Sequence, residues 1–234
     1  MSEPQSERDP ETGQPVGPQV DAKPARWPER TTLKGRFGRV EALSMQHAGE
    51  LWRAVDRHDE LWPYMSAGPF TNEKTFSDWI RLRIEAKDSV PYAIVDSVGK
   101  PCGVAVLMEI RPEMRVIEVG SIVYAPALQR TPLGTEAQYL LARYAFEALR
   151  YRRYEWKCNA LNAPSRRAAL RYGFTYEGIL RAHMVIKGRN RDTAYFSMLD
   201  TEWPSRKAAF EKWLSVENLG ADGRQKKRLE ELRT

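Results

Sequence analysis

Apolar positions along the chain switch between a period of two and a period near three and a half, and each switch marks an element. Residues 37–43 read as a first strand, and helical runs follow over 46–59 and 72–87. Three strand-like runs come next, "PYAIVDS", "CGVAVLMEI" and "RVIEVGSIVY". Gly, Lys, Pro and Glu at their junctions are turn signals, so the three form a meander. From Ala137 the apolar set becomes 137, 140, 141, 144, 145, 148 and 149, one helical stripe held over three turns. "RYEWKCNA" then alternates strictly, with Tyr154, Trp156, Cys158 and Ala160 on one face and Arg153, Glu155, Lys157 and Asn159 on the other. That is a half-exposed strand. Asn162 is placed to cap the next helix, Pro164 fits its first turn, and Gly173 can close it in the left-handed conformation. "FTYEGILRAHMVI" and "RDTAYFSML" read as a closing hairpin around "KGRN". The strand-helix-strand unit in the middle requires two neighbouring strands joined by a right-handed crossover. The pattern predicts an α/β (α+β) fold on a mixed sheet.

The ends break the pattern. Residues 1–30 are rich in Pro, Gln, Glu and Ser with almost no large apolar side chain, so they cannot bury enough surface to offset the entropy of ordering. They are expected to form a disordered leader, with the domain over 31–216 and a charged tail over 217–234. No apolar run approaches the ~20 residues needed to cross a bilayer, and the polar start "MSEPQSERDPETGQP" is not a signal peptide. Cys102 and Cys158 lie in apolar, strand-like runs and show no metal-ligand spacing with His47, His58 or His183. A reduced, cytoplasmic protein without a bound metal and without a membrane partner is expected.

Charge changes the picture in one region. The formal net charge is +6, and between Arg143 and Arg171 eight Arg or Lys face only Glu147 and Glu155. Such a stretch attracts phosphates, whether of a nucleic acid or of a phosphorylated cofactor, and a solvated face would look the same. Nucleic acid bound through Tyr151, Tyr154 and Trp156 fits less well, because alternation puts Tyr154 and Trp156 together on the inward face, whereas base stacking needs exposed rings.

The loop "QRTPLG" runs from a strand straight into the stripe helix. Helix N-termini carry unpaired N–H groups and partial positive charge, so a phosphate placed there needs few side chains, although a single Gly after a strand is also an ordinary turn device. With its flanks, strand "VIEVGSIVYAP", loop "QRTPLG", helix, strand "YEWKCNALN" and helix "APSRRAALRYGF", the chain resembles the GCN5-related N-acetyltransferase superfamily, and within it the ribosomal-protein N-terminal acetyltransferase branch. The resemblance covers roughly residues 32–203. It implies a largely antiparallel seven-stranded sheet flanked by helices and splayed between its fourth and fifth strands, with acetyl-coenzyme A as cosubstrate and the pantetheine arm in the splay. The implied cofactor contacts are the backbone of Ile122, Val123 and Tyr124, the loop residues Gln129, Arg130, Thr131, Leu133, Gly134 and Thr135, and Asn162. Pro132 stands where the family's loop has its first Gly, and it removes one N–H from the cradle.

Acyl transfer from a thioester to an amine needs a neutral amine and a protonated leaving thiolate. Glu118 occupies the position where histone-type members of the superfamily carry a general base, and a carboxylate in an apolar strand has a raised pKa. A Glu at the sheet edge, paired with an Arg, accounts for the same residue. Asn162 and Ser165 reproduce the Asn, two residues, Ser pattern in which, by resemblance, the Asn holds pantetheine and the Ser protonates the thiolate; both also suit a helix first turn. Seven residues after the Asn, where many members carry a tyrosine acid, this chain has Ala169. The branch's second carboxylate is replaced by Met184, beside His183, which is the alternative base. Trp52, Trp62, Tyr64, Met65, Phe70, Phe76 and Trp79 supply either a lid over the acceptor or a core between the first two helices. The acceptor is expected to be a protein N-terminus or a small amine, and a homodimer is among the assemblies left open. A fold of this kind that holds coenzyme A without turnover is the rival reading.

Overall fold

The computed structural model describes residues 6–220 and 225–233. Eight strands form the main sheet: β1 (Thr32–Lys34), β2 (Gly38–Ala42), β3 (Val90–Asp96), β4 (Pro101–Arg111), β5 (Val116–Tyr124), β6 (Arg153–Asn159), β7 (Thr175–Ile186) and β8 (Arg189–Leu199). Their spatial order is β1-β2-β3-β4-β5-β6-β8-β7. Every neighbouring pair is antiparallel except β5 and β6, which are parallel. The sheet has one strand more than the sequence pattern indicated, because Thr32–Lys34 folds back on β2; three residues are too few for a period to register.

Five α-helices flank the sheet: α1 (Ala48–Val55), α2 (Glu73–Glu85), α3 (Pro132–Arg143), α4 (Ala163–Tyr172) and α5 (Trp203–Leu214). On one face α1 and α2 bury Leu51, Val55, Phe76, Trp79 and Ile80 against Val95, Val104, Val106 and Val123. On the other, α3 and α5 cover Ile94, Leu107, Ile117, Val119 and Tyr154. Strands β3 and β4 are therefore buried on both sides, which is why their sequences read as nearly continuous apolar runs. Helix α3 is enclosed almost all round. Even its Glu136 is buried, and there its carboxylate accepts the N–H groups of Arg36 (2.7 Å) and Phe37 (2.8 Å), fastening the β1–β2 turn. A buried carboxylate needs such partners.

Helix α5 was not evident in the periodicity, because Pro204, Arg206 and Lys207 interrupt its apolar stripe. It packs through Trp203 and Phe210 on Tyr139 of α3, with ring centroids 6.1 and 5.6 Å apart. The capping residues behave as the sequence indicated: the Asn162 side chain accepts Ser165 N–H, and Gly173 closes α4 at φ +95°. The β7–β8 hairpin turns at Lys187 and Gly188, both with positive φ.

Both ends depart from expectation. Residues 1–5 of the leader and 221–224 and 234 of the tail lie outside the described residues. Elsewhere the leader is not free: Ala25 is buried, Arg26 N–H donates to Leu149 O (2.9 Å) and Tyr92 Oη donates to Glu29 O (2.7 Å). In the tail, Leu229 is buried and Arg233 donates to Leu170 O (3.0 Å). Backbone hydrogen bonds to fixed partners hold these segments where composition alone offered too little apolar surface. No helix among the described residues is long and apolar enough to cross a membrane.

Candidate active site

Parallel pairing of β5 and β6 is confined to three rungs, Val116 with Arg153, Ile117 with Tyr154 and Glu118 with Glu155. Beyond Glu118 the strands part, so the expected splay is present; it falls between the fifth and sixth strands once Thr32–Lys34 is counted. Its local cause is a bulge. Between the rungs Val106–Gly120 and Val104–Val123, one residue of β4 faces two of β5, and Ser121 takes φ +47°. A bulge bends the strand that carries it and ends regular pairing. Gly120 belongs to the same device: a Cβ there would sit 2.6 Å from Met108 Sδ and 2.8 Å from Glu118 Oε1. The facing edges of Ile122–Tyr124 and Trp156–Asn159 are left without strand partners across the gap, among the described residues.

At the end of β5 the chain turns tightly, with Leu128 N–H donating to Ala125 O (2.8 Å). Arg130, at φ +60° and exposed, follows. Gln129 donates its side-chain amide to Tyr124 O (3.1 Å). Thr131 is the N-cap of α3: its hydroxyl donates to Leu128 O (2.7 Å) and accepts Gly134 N–H (3.1 Å). Thr135 N–H donates to Thr131 O (3.3 Å). With Pro132 contributing no N–H, the backbone donors without a protein partner among the described residues are those of Leu133 and Arg130. The cradle is narrower than the Leu133–Thr135 run read from the sequence, because Thr131 consumes the Gly134 donor. The Thr135 hydroxyl is engaged elsewhere, accepting from Arg171 Nη1 (3.0 Å).

Gly134 is demanded by packing. Tyr124 Oη donates to its carbonyl (2.9 Å), and a Cβ on it would lie 2.9 Å from Leu128 O and 3.1 Å from the Tyr124 ring. The Leu128 oxygen is backbone and cannot swing aside. Gly134→Ala is therefore expected to cost about 1–3 kcal/mol, as overpacking does, visible as a lowered denaturation midpoint at unchanged m-value. An unchanged midpoint would show that the loop yields freely.

The catalytic candidates fall on two faces of the sheet. Glu118, 6 % exposed, shares its face with Met108, and Lys157 Nζ lies 2.9 Å from its carboxylate. Burial pushes the Glu118 carboxyl up to about 7, against the pull of the Lys157 ammonium. Ser165 belongs to the opposite face, where its hydroxyl accepts the indole N–H of Trp156 (3.0 Å) and meets the Cys158 thiol. Asn162 uses Oδ1 for the cap (3.1 Å to Ser165 N), and its amide N–H₂ has no partner among the described residues. His183 is on the face of Glu118 but exposed, its Nδ1 3.0 Å from Thr193 Oγ1 and its ring against Tyr195. Two strands, β6 and β8, separate β7 from β5, which places the two backbones roughly 14 Å apart. Glu118 and Ser165 flank the start of the gap from opposite faces, through Lys157 and Trp156 of β6 respectively; His183 does not join them.

Sequence reading missed three partners. Alternation put Lys157 on the polar face, but its contact with Glu118 depends on register between strands; Trp156 was read only as core, and Tyr195 not at all. Burial pushes the Cys102 thiol up to about 11 and raises Cys158 as well, so neither is poised as a thiolate carrier. Tyr151, Tyr154 and Trp156 are buried, which removes them as platforms for bases.

Five of the seven early aromatic and Met residues, Trp52, Trp62, Phe70, Phe76 and Trp79, make one cluster of edge-to-face and tilted rings between α1 and α2. The α1–α2 connection also spans the site. Tyr64 Oη donates to Leu161 O (3.2 Å), and Lys187 Nζ from the β7–β8 turn donates to Trp62 O (2.9 Å).

The model of the Acetyltransferase (GNAT) domain matches residues 39–175. A solved GCN5-related N-acetyltransferase from Brucella melitensis is 45% identical, with a TM-score of 0.88 over 90% of this chain and 97% of that one. A probable acetyltransferase of the GNAT family from Chromobacterium violaceum ATCC 12472 is 36% identical, with a TM-score of 0.73 over 79% of this chain and 100% of that one. A Bacillus subtilis (strain 168) protein carrying the name "Putative ribosomal N-acetyltransferase YdaF" is 27% identical over 62% of this chain and 80% of its own.

Proposed function

The chain belongs to the GNAT acetyltransferase family, and from that premise we propose that it acetylates a primary amine, in the first instance a protein N-terminus, with Glu118 as base and Ser165 as acid. The observation that carries this reading is the parting of β5 from β6 with Glu118 at its root on one face and Ser165 beside it on the other. Acetyl-coenzyme A, the family's cosubstrate, supplies the acetyl group as an activated thioester. The unpaired edges of β5 and β6, the Asn162 amide and the Leu133 and Arg130 N–H groups are of the right kind to hold its pantetheine and phosphates.

Glu118, ionised, takes a proton from the acceptor ammonium, so that the nitrogen lone pair can form the new bond to the acetyl carbon. As the bond to sulfur breaks, Ser165 gives its proton to the departing sulfur, and the second proton, released by the newly acylated nitrogen, passes through solvent to restore the serine hydroxyl. The serine is set for this: accepting the Trp156 N–H makes its own O–H the donor, on the side where it meets the Cys158 thiol. The preference for an N-terminus over a small amine follows the name carried by the Bacillus relative.

Coenzyme A at a hundredfold excess over its Kd is expected to stabilise the protein by about 2.7 kcal/mol, raising the melting temperature by roughly 5–10 °C for a chain of this size. A melting curve that ignores millimolar coenzyme A would sink the proposal. An acetyl-coenzyme A assay against N-terminal peptides and small amines then decides the acceptor; turnover of small amines alone would replace the N-terminus.

A further inference from the structure

Six charged side chains from four strands run in an unbroken line across the face that carries Glu118. Glu177 of β7 meets Arg153 of β6, Arg153 meets Glu155, Glu155 meets Lys157, and Lys157 meets Glu118 of β5, while Arg111 at the end of β4 joins at Glu155. The line is lopsided. Glu155 has three cations, Arg111 at 2.7 Å, Arg153 at 2.8 Å and Lys157 at 3.2 Å, whereas Glu118 touches Lys157 alone, at 2.9 Å. The Lys157 ammonium is itself largely buried and rests over the Tyr195 ring, 4.9 Å from its centroid.

We propose that Lys157 is a positioning residue, holding Glu118 ionised and aimed at the β5–β6 gap, and that Glu155 keeps the ammonium in place while Glu118 carries the acceptor's proton. This rests on Glu118 being the base. A buried carboxylate with no cation beside it takes up a proton instead of ionising, and one ammonium at hydrogen-bond distance offsets part of that cost. In the proton-transfer step one proton leaves the acceptor nitrogen for a Glu118 oxygen, and Glu118 passes from charge −1 to 0. Lys157 stays charged and would otherwise be a buried, unpaired cation. Glu155 prevents this, and because Arg111 and Arg153 already engage both its oxygens, it does not draw Lys157 away from Glu118 beforehand. The other groups bearing on Glu118 are few. Glu109, exposed on β4, and Glu155 push its titration upward; Tyr195 stands behind Lys157, with His183 beyond it; α1, α2 and their connection bring no charged contact among the described residues.

The test is a ¹³C-carboxyl NMR titration of glutamate-labelled protein, with Glu118 identified by the signal lost in Glu118→Gln, beside the pH profile of kcat/KM. Lys157→Met is expected to raise the Glu118 midpoint by a unit or more and to move the acid limb of the rate equally, a tenfold loss at each pH below it. Lys157→Gln, which keeps hydrogen bonding but not charge, gives the same shift and covers failure of Lys157→Met to fold. Lys157→Arg restores the midpoint, and Glu109→Gln at the exposed neighbour lowers it. A Glu118 midpoint unmoved by both neutral variants overturns the role of Lys157 and leaves Glu118 as base standing. A midpoint that moves while the rate limb does not overturns Glu118 as base, and the catalytic role of Lys157 with it.

Discussion

Glu118→Gln is expected to lower kcat/KM by ~10²–10⁴-fold, or about 3–5 kcal/mol of transition-state stabilisation. The amide keeps the shape of the carboxylate, and its oxygen can still accept from Lys157, so the strand and the gap are preserved. What it loses is the capacity to take a proton. The pH dependence gives the sign. Burial raises the Glu118 carboxyl to about 7, so the group is protonated and inactive as a base below that pH, and wild-type activity should climb as pH rises through about 7. The variant should lose this limb along with its rate, while its affinity for coenzyme A changes little, because the loop and Asn162 are untouched. A buried carboxylate also works against folding at neutral pH, so the variant is expected to melt no earlier than wild type; a rate loss that accompanies a falling melting temperature would point to damage and not to chemistry. Full activity of Glu118→Gln across pH would put the base elsewhere, and His183→Ala would be the next substitution.

Much of this arrangement was legible in the residues, and the boundary of legibility has a physical explanation. Periods of two and three and a half separate the faces of an element, so the division of β6 into Trp156 and Cys158 on one side, Glu155 and Lys157 on the other, is written in the sequence; the half-exposed strand it implied is not what forms, because Glu155 is buried too and meets Arg111, Arg153 and Lys157 there. Caps are local, and the Asn162 and Gly173 assignments needed only neighbours within the same turn. Contacts between strands are not local. Lys157 reaches Glu118 because a crossover of some thirty residues sets β6 in register with β5 so that Glu155 stands beside Glu118, and no spacing along the chain encodes that register. The same holds for Glu136, whose buried carboxylate is explained only by a turn a hundred residues away. The docked leader depends on single backbone hydrogen bonds at Ala25 and Arg26, to which composition is blind. From the sequence, Thr131 is only a cofactor contact implied by the resemblance; the structure spends its hydroxyl as the cap that accepts Gly134 N–H, and the phosphate cradle shrinks accordingly.

Ser165→Ala separates the acid from the cap in a way the sequence could not. Its backbone N–H, which Asn162 accepts, survives the substitution, so the first turn of α4 remains closed. The loss is confined to the hydroxyl, and the group left without a partner is the Trp156 indole N–H, at a cost of about 1–3 kcal/mol for a buried donor. Trp156→Phe deletes that donor and spares the serine, so it matches the packing change without removing the acid. If Ser165 protonates the departing sulfur, Ser165→Ala should lower kcat by ~10²–10³-fold with little change in the acceptor KM, the pattern of an interaction made mainly in the transition state. Trp156→Phe should lose far less, because the hydroxyl keeps its proton and surrenders only its orientation. Equal losses in the two variants, tracking their melting temperatures, would make Ser165 a structural partner of Trp156 and nothing more. A large kcat loss in Ser165→Ala alone, from folded protein that still binds coenzyme A, would place the acid at the head of α4.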